Sequence, residues 1–433
     1  MIQGVPIFLG SSFLIHCYIT PALTSVTRIE TNTYRIFDFY YWIIPLKSFW
    51  AGEISSVYRL DNILAAMGRF WGQEVKSAMP MALSPTTLVI WFPFAKIASQ
   101  DIAFAYTLWC SLSFTVFTLA ILETARELHS RSPMQAVLFS LYAMVAILSF
   151  SFFGCLLHGN TSIMACGLFL FLVLLIAKDP YSPLRSFWIV CICFLLSIKL
   201  TYLSIALLLL LIYRKSVEFL FALIAILGTT GVLVIFADPN LLRDWVSVLP
   251  FFLGKNVPPV YSSAFHLTTF VTFRSAFNGL IGHSPSLYVC QTVLFLGEAA
   301  ILTFAVRMNW LASRSTRAPQ GFLIPEKLLS VGTFGVFLLF SPYLNGSEDL
   351  IILACIAILF FGGFPERHVT LIVLGSVTLL LILLNHNAFP PFKPMWLLWL
   401  LKGLLFLVFF WSATAPASLF HLDQVEDTGT LLR

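Results

Sequence analysis

Charge is what this chain has least of: Asp, Glu, Lys and Arg make up 10% of its 433 residues, against roughly 25% in an ordinary globular domain. That scarcity excludes a water-exposed surface over most of the molecule. The net charge of +5 is dispersed over short segments rather than gathered in a stripe, which excludes a nucleic-acid-binding face. The eight cysteines include no CxxC pair, and most, such as Cys110, Cys166, Cys191, Cys193 and Cys355, sit inside apolar runs, where they read as small buried hydrophobes. The sequence holds no internal repeat, no G-x-G-x-x-G, no P-loop and no His/Cys/Asp grouping with metal spacing. A cytoplasmic nucleotide is therefore not indicated, and no cofactor or metal ligand set is assigned.

What the chain does have is apolar length. It is 59% hydrophobic with a mean hydropathy of +0.91, and many segments reach the ~17–20 residues a spanning helix needs. These features predict an all-α polytopic membrane protein, a single transmembrane domain over residues 1–412 with about 11–12 membrane helices. The candidate spans are 5–27, 102–125, 133–152, 160–178, 216–237, 286–306, 328–343, 349–364, 367–385 and 393–412. Residues 186–213 are too long for one helix and too short for two full spans, and they are interrupted by Lys199. They read as two short helices forming a hairpin. The first segment lacks a basic n-region and a small-residue cleavage site, and reads as a retained helix.

Loop charge orients the chain. Cytoplasmic loops are enriched in Lys and Arg, and the basic loops here are 125–131, 213–216, 307–317 and 365–368. Placing them inside puts the two longest loops, 28–101 and 238–285, outside, with 86–98 lying on or dipping into the membrane. The tail 413–433 is then cytoplasmic. Irregular segments as long as those two loops are more often functional than connective.

The first of them opens with YRIFDFYYW (34–42), which puts one carboxylate among six aromatic rings. Asp38 reads in two ways: an incidental acid in an interfacial aromatic belt, or a general base in an aromatic pocket with Tyr41 and Trp42 on its helical face. Glu53 and Asp61 compete for the base role. Lys199 reads as a cation facing a polar cavity or an anionic lipid phosphate, since an ammonium in an apolar segment costs ~2.5–3.5 kcal/mol on insertion scales; snorkelling along a helix end is the plainer account. His158 could donate to the same phosphate. Arg243 and Arg274 in the second long loop suit bidentate phosphate recognition or interfacial anchoring, and His266 lies beside them. Glu348 and Asp349 read in three ways: as ligands of acceptor hydroxyls, as acids orienting a cation, or simply as caps of the helix that begins there.

The order of features from Asp38, Phe39 and Tyr41 through Gly52, Tyr58, Pro85 and Pro93 resembles the first external loop of the glycosyltransferase C superfamily, and most closely family 87, the polyprenol-phosphate-mannose-dependent mannosyltransferases. HGNTSIMACG (158–167), SIKLTYLSIALLLLLIYRK (197–215) and SPYLNGSEDLIIL (341–353) follow in the family's order, with Asn160 where Gln is usual. A single Pro85 stands where the family commonly has a Pro pair, and Leu200 rather than Pro follows Lys199. The resemblance implies a transferase on the non-cytoplasmic side of a plasma or inner membrane, moving a hexose, mannose foremost, from a polyprenyl phosphate to a lipid or glycan acceptor with inversion. Taken with the residue chemistry above, it leads to Asp38 as the expected base, Lys199, Arg274, His158 and Arg243 at the donor phosphate, and Tyr41, Trp42, Tyr58, Asn160, His266 and Asp349 around the acceptor. A lipid-linked sugar flippase without chemistry, or a related transferase using another sugar, remains an alternative on sequence.

Overall fold

The longest element of the computed structural model is a 30-residue helix, Ile102–Arg131, about 45 Å at 1.5 Å per residue and so longer than the roughly 30 Å hydrocarbon core. Its start is fixed by Asp101, whose Oδ1 accepts from the Phe104 N–H at 2.9 Å. Its end is fixed by Pro133, which opens the next helix at a position needing no N–H. The structure describes residues 4–15, 38–72, 74–75, 81, 83–178, 182–252, 286–313, 324–341, 346–362, 369–385 and 395–414. Arg274 and His266, expected at the site, lie outside these residues, as do most of the second long loop and the tail after Thr414.

In chain order the helices are α1 (Gly4–Leu14), α2 (Asp38–Trp50), α3 (Leu60–Trp71), α4 (Thr87–Ile90), α5 (Phe92–Ala98), α6 (Ile102–Arg131), α7 (Pro133–Ile147), α8 (Phe150–His158), α9 (Ser162–Ala177), α10 (Pro183–Leu196), α11 (Leu200–Ile212), α12 (Ser216–Phe236), α13 (Leu241–Phe252), α14 (Ser286–Ser313), α15 (Ile324–Phe340), α16 (Ile352–Phe361), α17 (Val369–Asn385) and α18 (Met395–Ala413). A 3-10 turn, Gly346–Ile351, leads into α16. Among the described residues there is no β-strand, and the protein is an all-α polytopic membrane protein. Among the described residues four helices are long and apolar enough to cross a membrane, within α6, α12, α14 and α18, and a fifth span is formed if α7 and α8 are taken as one bent pair. The expected span 5–27 lies beyond the described residues after Ile15, and the other expected spans are shorter apolar helices packed among them.

One expectation is corrected. Residues 133–152 do not form one helix: the chain bends by 56° between α7 and α8. Ser149 causes the restart, because its Oγ donates to the Ala146 carbonyl at 2.6 Å and accepts from the Phe152 N–H at 3.1 Å, a side-chain cap that replaces the helix's own bonds. The hairpin around Lys199 does form. Ser186, near the start of α10, donates to Glu218, near the start of α12, at 2.7 Å, and α12 begins where α11 ends, so α10 and α11 run antiparallel.

The core runs along α6, α9 and α16. All ten residues of α16 are buried, and α9 approaches α6 so closely that a Cβ on Gly167 would lie 2.8 Å from the Phe117 backbone. α12 and α14 are only 11% and 17% buried over their apolar windows, which leaves them facing lipid.

The two ends of the bundle differ in charge. At one end, Arg131 donates to the Phe361 and Ala177 carbonyls at 3.5 and 3.4 Å, Lys327 donates to the Gly362 carbonyl at 2.9 Å, Arg214 pairs with Glu326 at 3.5 Å, and Asn309 donates to the Leu211 carbonyl at 2.7 Å. Cations thus meet the negative ends of α9 and α16. The basic segments 125–131, 213–216 and the start of 307–317 gather at this end. α2 to α5, the break at Lys199 and the 3-10 turn lie at the other.

Candidate active site

Asp38 is the first residue of α2, where a carboxylate gains from the helix dipole. What fixes α2 in place is aromatic packing. Phe39 is fully buried, with its ring 5.6 Å from Trp91 and 5.5 Å from Tyr106, and Trp91 packs against Trp109 with ring centroids 4.5 Å apart and planes tilted by 43°. The rings around the acid therefore form a core that holds it. Trp42, half-buried, meets Trp91 edge-on at 5.6 Å, and Tyr41 is also half-buried.

α8 ends beside this core. Its last carbonyls are taken by α6: Tyr106 donates to Leu156 and Leu157 at 2.8 and 3.0 Å, and Trp109 donates to Gly159 at 2.9 Å. Gly159 adopts φ +63°, and a Cβ there would stand 2.7 Å from the Phe39 Cβ. Only glycine serves at this turn, and the turn delivers Asn160 to Asp38. His158, half-buried, is the last residue of α8.

The orientation of the Asn160 amide is dictated by its surroundings. The Ser162 backbone N–H, which can only donate, lies 2.9 Å from Oδ1, and the Ser162 hydroxyl donates to the same oxygen at 2.7 Å. Nδ2 must therefore face outward, and it donates to Asp38 Oδ2 at 2.6 Å. Ser162 Oγ also lies 2.9 Å from the Tyr202 hydroxyl. Since its one hydrogen is committed to Asn160, Tyr202 is the donor, and Ser162 at 2.9 Å is the nearer of its two acceptors, the other being Glu348 Oε1 at 3.5 Å. Every donor in the series Tyr202, Ser162, Asn160 points toward the carboxylate, and such aligned bonds polarise one another.

Tyr202 leads to Lys199, which stands in extended backbone at the start of α11. Its ammonium lies 5.2 Å over the Tyr202 ring and donates to Glu348 Oε1, and Asp38 is within electrostatic reach of it. The break that exposes Lys199 frees carbonyls that a membrane interior cannot solvate. The first-loop segment around Pro85 takes them up. Ser84 donates to the Ser197 carbonyl through its hydroxyl and to Ile198 through its N–H at 3.4 Å, Thr87 donates to Ile198 at 3.3 Å, and the Thr86 and Ser197 hydroxyls meet at 2.6 Å.

Glu348 and Asp349 are both buried on the 3-10 turn, each against a lysine. Asp349 Oδ1 accepts from Lys402 at 2.6 Å, and Lys402 also lies 3.3 Å from the Leu338 carbonyl. Asp349, expected at the acceptor, thus faces α18 in the protein interior. Tyr58, also expected there, is buried and donates to the Leu83 carbonyl at 3.1 Å; burial pushes its phenol above the usual range. Arg243 is exposed on α13, and its neighbour Asp244 takes Arg59 at 2.8 Å, joining α13 to the first loop. Among the described residues no group of three His, Cys, Asp or Glu side chains is placed to hold a metal ion.

Sequence reasoning selected Asp38, Asn160 and Lys199 and missed Ser162, Tyr202 and Lys402. A lone lysine inside MWLLWLLKGLL is itself a signal, since an ionisable group within a span implies a partner. Ser162 and Tyr202 carried no such mark.

The chain matches the family model for glycosyltransferase family 87 over residues 84–342. That covers Asn160, Lys199 and Tyr202, and leaves Asp38, Glu348 and Lys402 on either side. No curated protein and no solved structure matches the chain.

Proposed function

The chain belongs to glycosyltransferase family 87 and is a membrane glycosyltransferase; on that footing we propose that it transfers a hexose, mannose foremost, from a polyprenyl phosphate to a lipid or glycan hydroxyl on the non-cytoplasmic side, with inversion. The observation that carries this reading is the side-chain series from Asp38 through Asn160, Ser162 and Tyr202 to Lys199, because it joins a carboxylate to a cation at one end of the bundle. Asn160 occupies Oδ2 of Asp38, and Oδ1 takes the proton of the acceptor hydroxyl. The acceptor oxygen attacks the anomeric carbon from the face opposite the phosphate, the bond from that carbon to the phosphate oxygen breaks, and the electron pair leaves with the lipid phosphate. Lys199 stabilises that charge as it develops, the kind of contribution that can dominate catalysis. His158, Arg243 and Arg274 are the further donors available to the phosphate. Tyr41, Trp42 and His266 serve the acceptor, while Tyr58, Asn160 and Asp349 act on it only through the groups they hold.

Charge supports this side of the membrane. The basic segments gather at the far end of the bundle, and that end is cytoplasmic by the bias of Lys and Arg toward cytoplasmic loops.

The test is transfer of radiolabelled mannose from synthetic polyprenyl-phosphate-mannose in membranes containing the wild type or Asp38→Asn. Transfer by the wild type and a loss of at least about 10²-fold in the variant is the expected result. Full transfer by a folded Asp38→Asn protein would overturn the assignment of the base.

A further inference from the structure

Lys199 is not a vacant cation waiting for a phosphate. Its ammonium already donates to Glu348, and the two side chains are unequally enclosed: 20% of Lys199 is exposed, against 4% of Glu348. An anion arriving from the open side therefore meets the ammonium first, with the carboxylate behind it. A carboxylate and a phosphate offer an ammonium the same kind of oxygen, and two anions on one ammonium repel each other.

From this arrangement we propose that Glu348 is the resident counter-ion of the donor-phosphate seat: it holds Lys199 while the seat is empty, yields the ammonium to the lipid phosphate, and takes it back as the spent lipid phosphate departs. This rests on the reading of Lys199 as the phosphate-binding cation.

The turn that carries Glu348 is built to bring it back. Successive residues of a 3-10 helix point about 120° apart, so Glu348 and Asp349 cannot face the same way. Asp349 is locked to Lys402 by an ion pair in which both side chains are almost fully enclosed. Fixing the direction of Asp349 fixes that of its neighbour, and Cys166, which donates to the Leu350 carbonyl at 3.0 Å, holds the following residue. Stability alone does not require such a pair, since a buried ion pair is often replaceable by apolar residues without loss. What an apolar pair does not supply is a directional hold on the turn.

The experiment is titration of detergent-purified full-length protein with farnesyl phosphate and, separately, with farnesol, which has the tail and no phosphate. The ratio of the two affinities isolates phosphate recognition and is insensitive to the fraction of folded protein. Glu348→Gln, which keeps the shape and removes the charge, is expected to raise the preference for farnesyl phosphate about tenfold, and Lys199→Met to abolish it. In turnover, Glu348→Gln then lowers the donor KM and kcat together, because the spent lipid phosphate leaves more slowly. An unchanged or weaker preference in Glu348→Gln, with Lys199→Met still impaired, overturns the counter-ion role and leaves the transferase reading intact. An unchanged preference in Lys199→Met removes the premise itself, whatever Asp38→Asn does to transfer.

Discussion

Asn160 gives Asp38 its amide hydrogen at 2.6 Å because Ser162, on the other side of the same amide, leaves it no other orientation. An amide passes no proton at neutral pH, so this contact aims the carboxylate without draining it. In the proposed mechanism the proton taken from an acceptor stays on Asp38 until solvent or the departing phosphate accepts it.

Asn160→Ala is therefore expected to lower kcat about 10²-fold by loosening the aim of the base. In the double variant with Asp38→Asn, removing Asn160 adds nothing further, since a misaimed base and an absent one fail at the same step. Single-turnover transfer measured for the two single variants and the double variant checks this.

Gly159 and Gly154 make a paired prediction within one short segment. Gly159→Ala places a Cβ against Phe39 in left-handed backbone and is expected to cost about 2 kcal/mol or more, with transfer lost as α2 shifts. Gly154→Ala, in the interior of α8 with nothing within 4 Å of the new Cβ, is expected to stabilise by about 0.5–1 kcal/mol. Thermal midpoints in detergent distinguish the two, and a Gly159→Ala protein as stable as the wild type would refute the close approach.

Thr86→Val removes the hydroxyl that meets Ser197 and Ser84, all three fully or almost fully buried. The expected loss is about 1–3 kcal/mol. Because the contact bridges the first loop to the break beside Lys199, increased protease cleavage near residue 198 should accompany the lowered midpoint.

Lys402→Met leaves Asp349 buried opposite an apolar chain and is expected to cost about 3–5 kcal/mol. Adding Asp349→Leu recovers most of that, since the stranded carboxylate is gone. Chemical denaturation of the three proteins measures the difference, and a double variant no better than the single would show that the pair itself is the source of stability.

The bundle was legible in the sequence because apolar length is a one-dimensional property. The hairpin at Lys199, the helix at Ser216–Phe236 and the gathering of basic loops at one end all follow from run length and charge. The break at Ser149 was not legible, since a serine in an apolar run shows no sign of capping until its neighbours are placed. Asp38 and Lys199 stood out as charges where charge is costly. Their connection did not, because it runs through Ser162 and Tyr202, residues ordinary in any helix, whose meeting depends on the packing of α9 against α11. Glu348 and Asp349 were read as one acidic pair, and only the 3-10 geometry separates them into two ion pairs facing different helices.

The ion pair of Lys199 with Glu348 also has a history in time. A ribosome presents residue 199 to the membrane long before residue 348 exists, so the α10–α11 hairpin must be inserted with its ammonium unmatched, against at most the ~2.5–3.5 kcal/mol that insertion scales assign to a charge at a helix centre. The five consecutive leucines Leu207–Leu211, each worth about −0.3 to −0.6 kcal/mol on the same scale, roughly offset that cost. The leucine run just below the lysine thus secures the hairpin during synthesis, until the carboxylate that will neutralise it has been made.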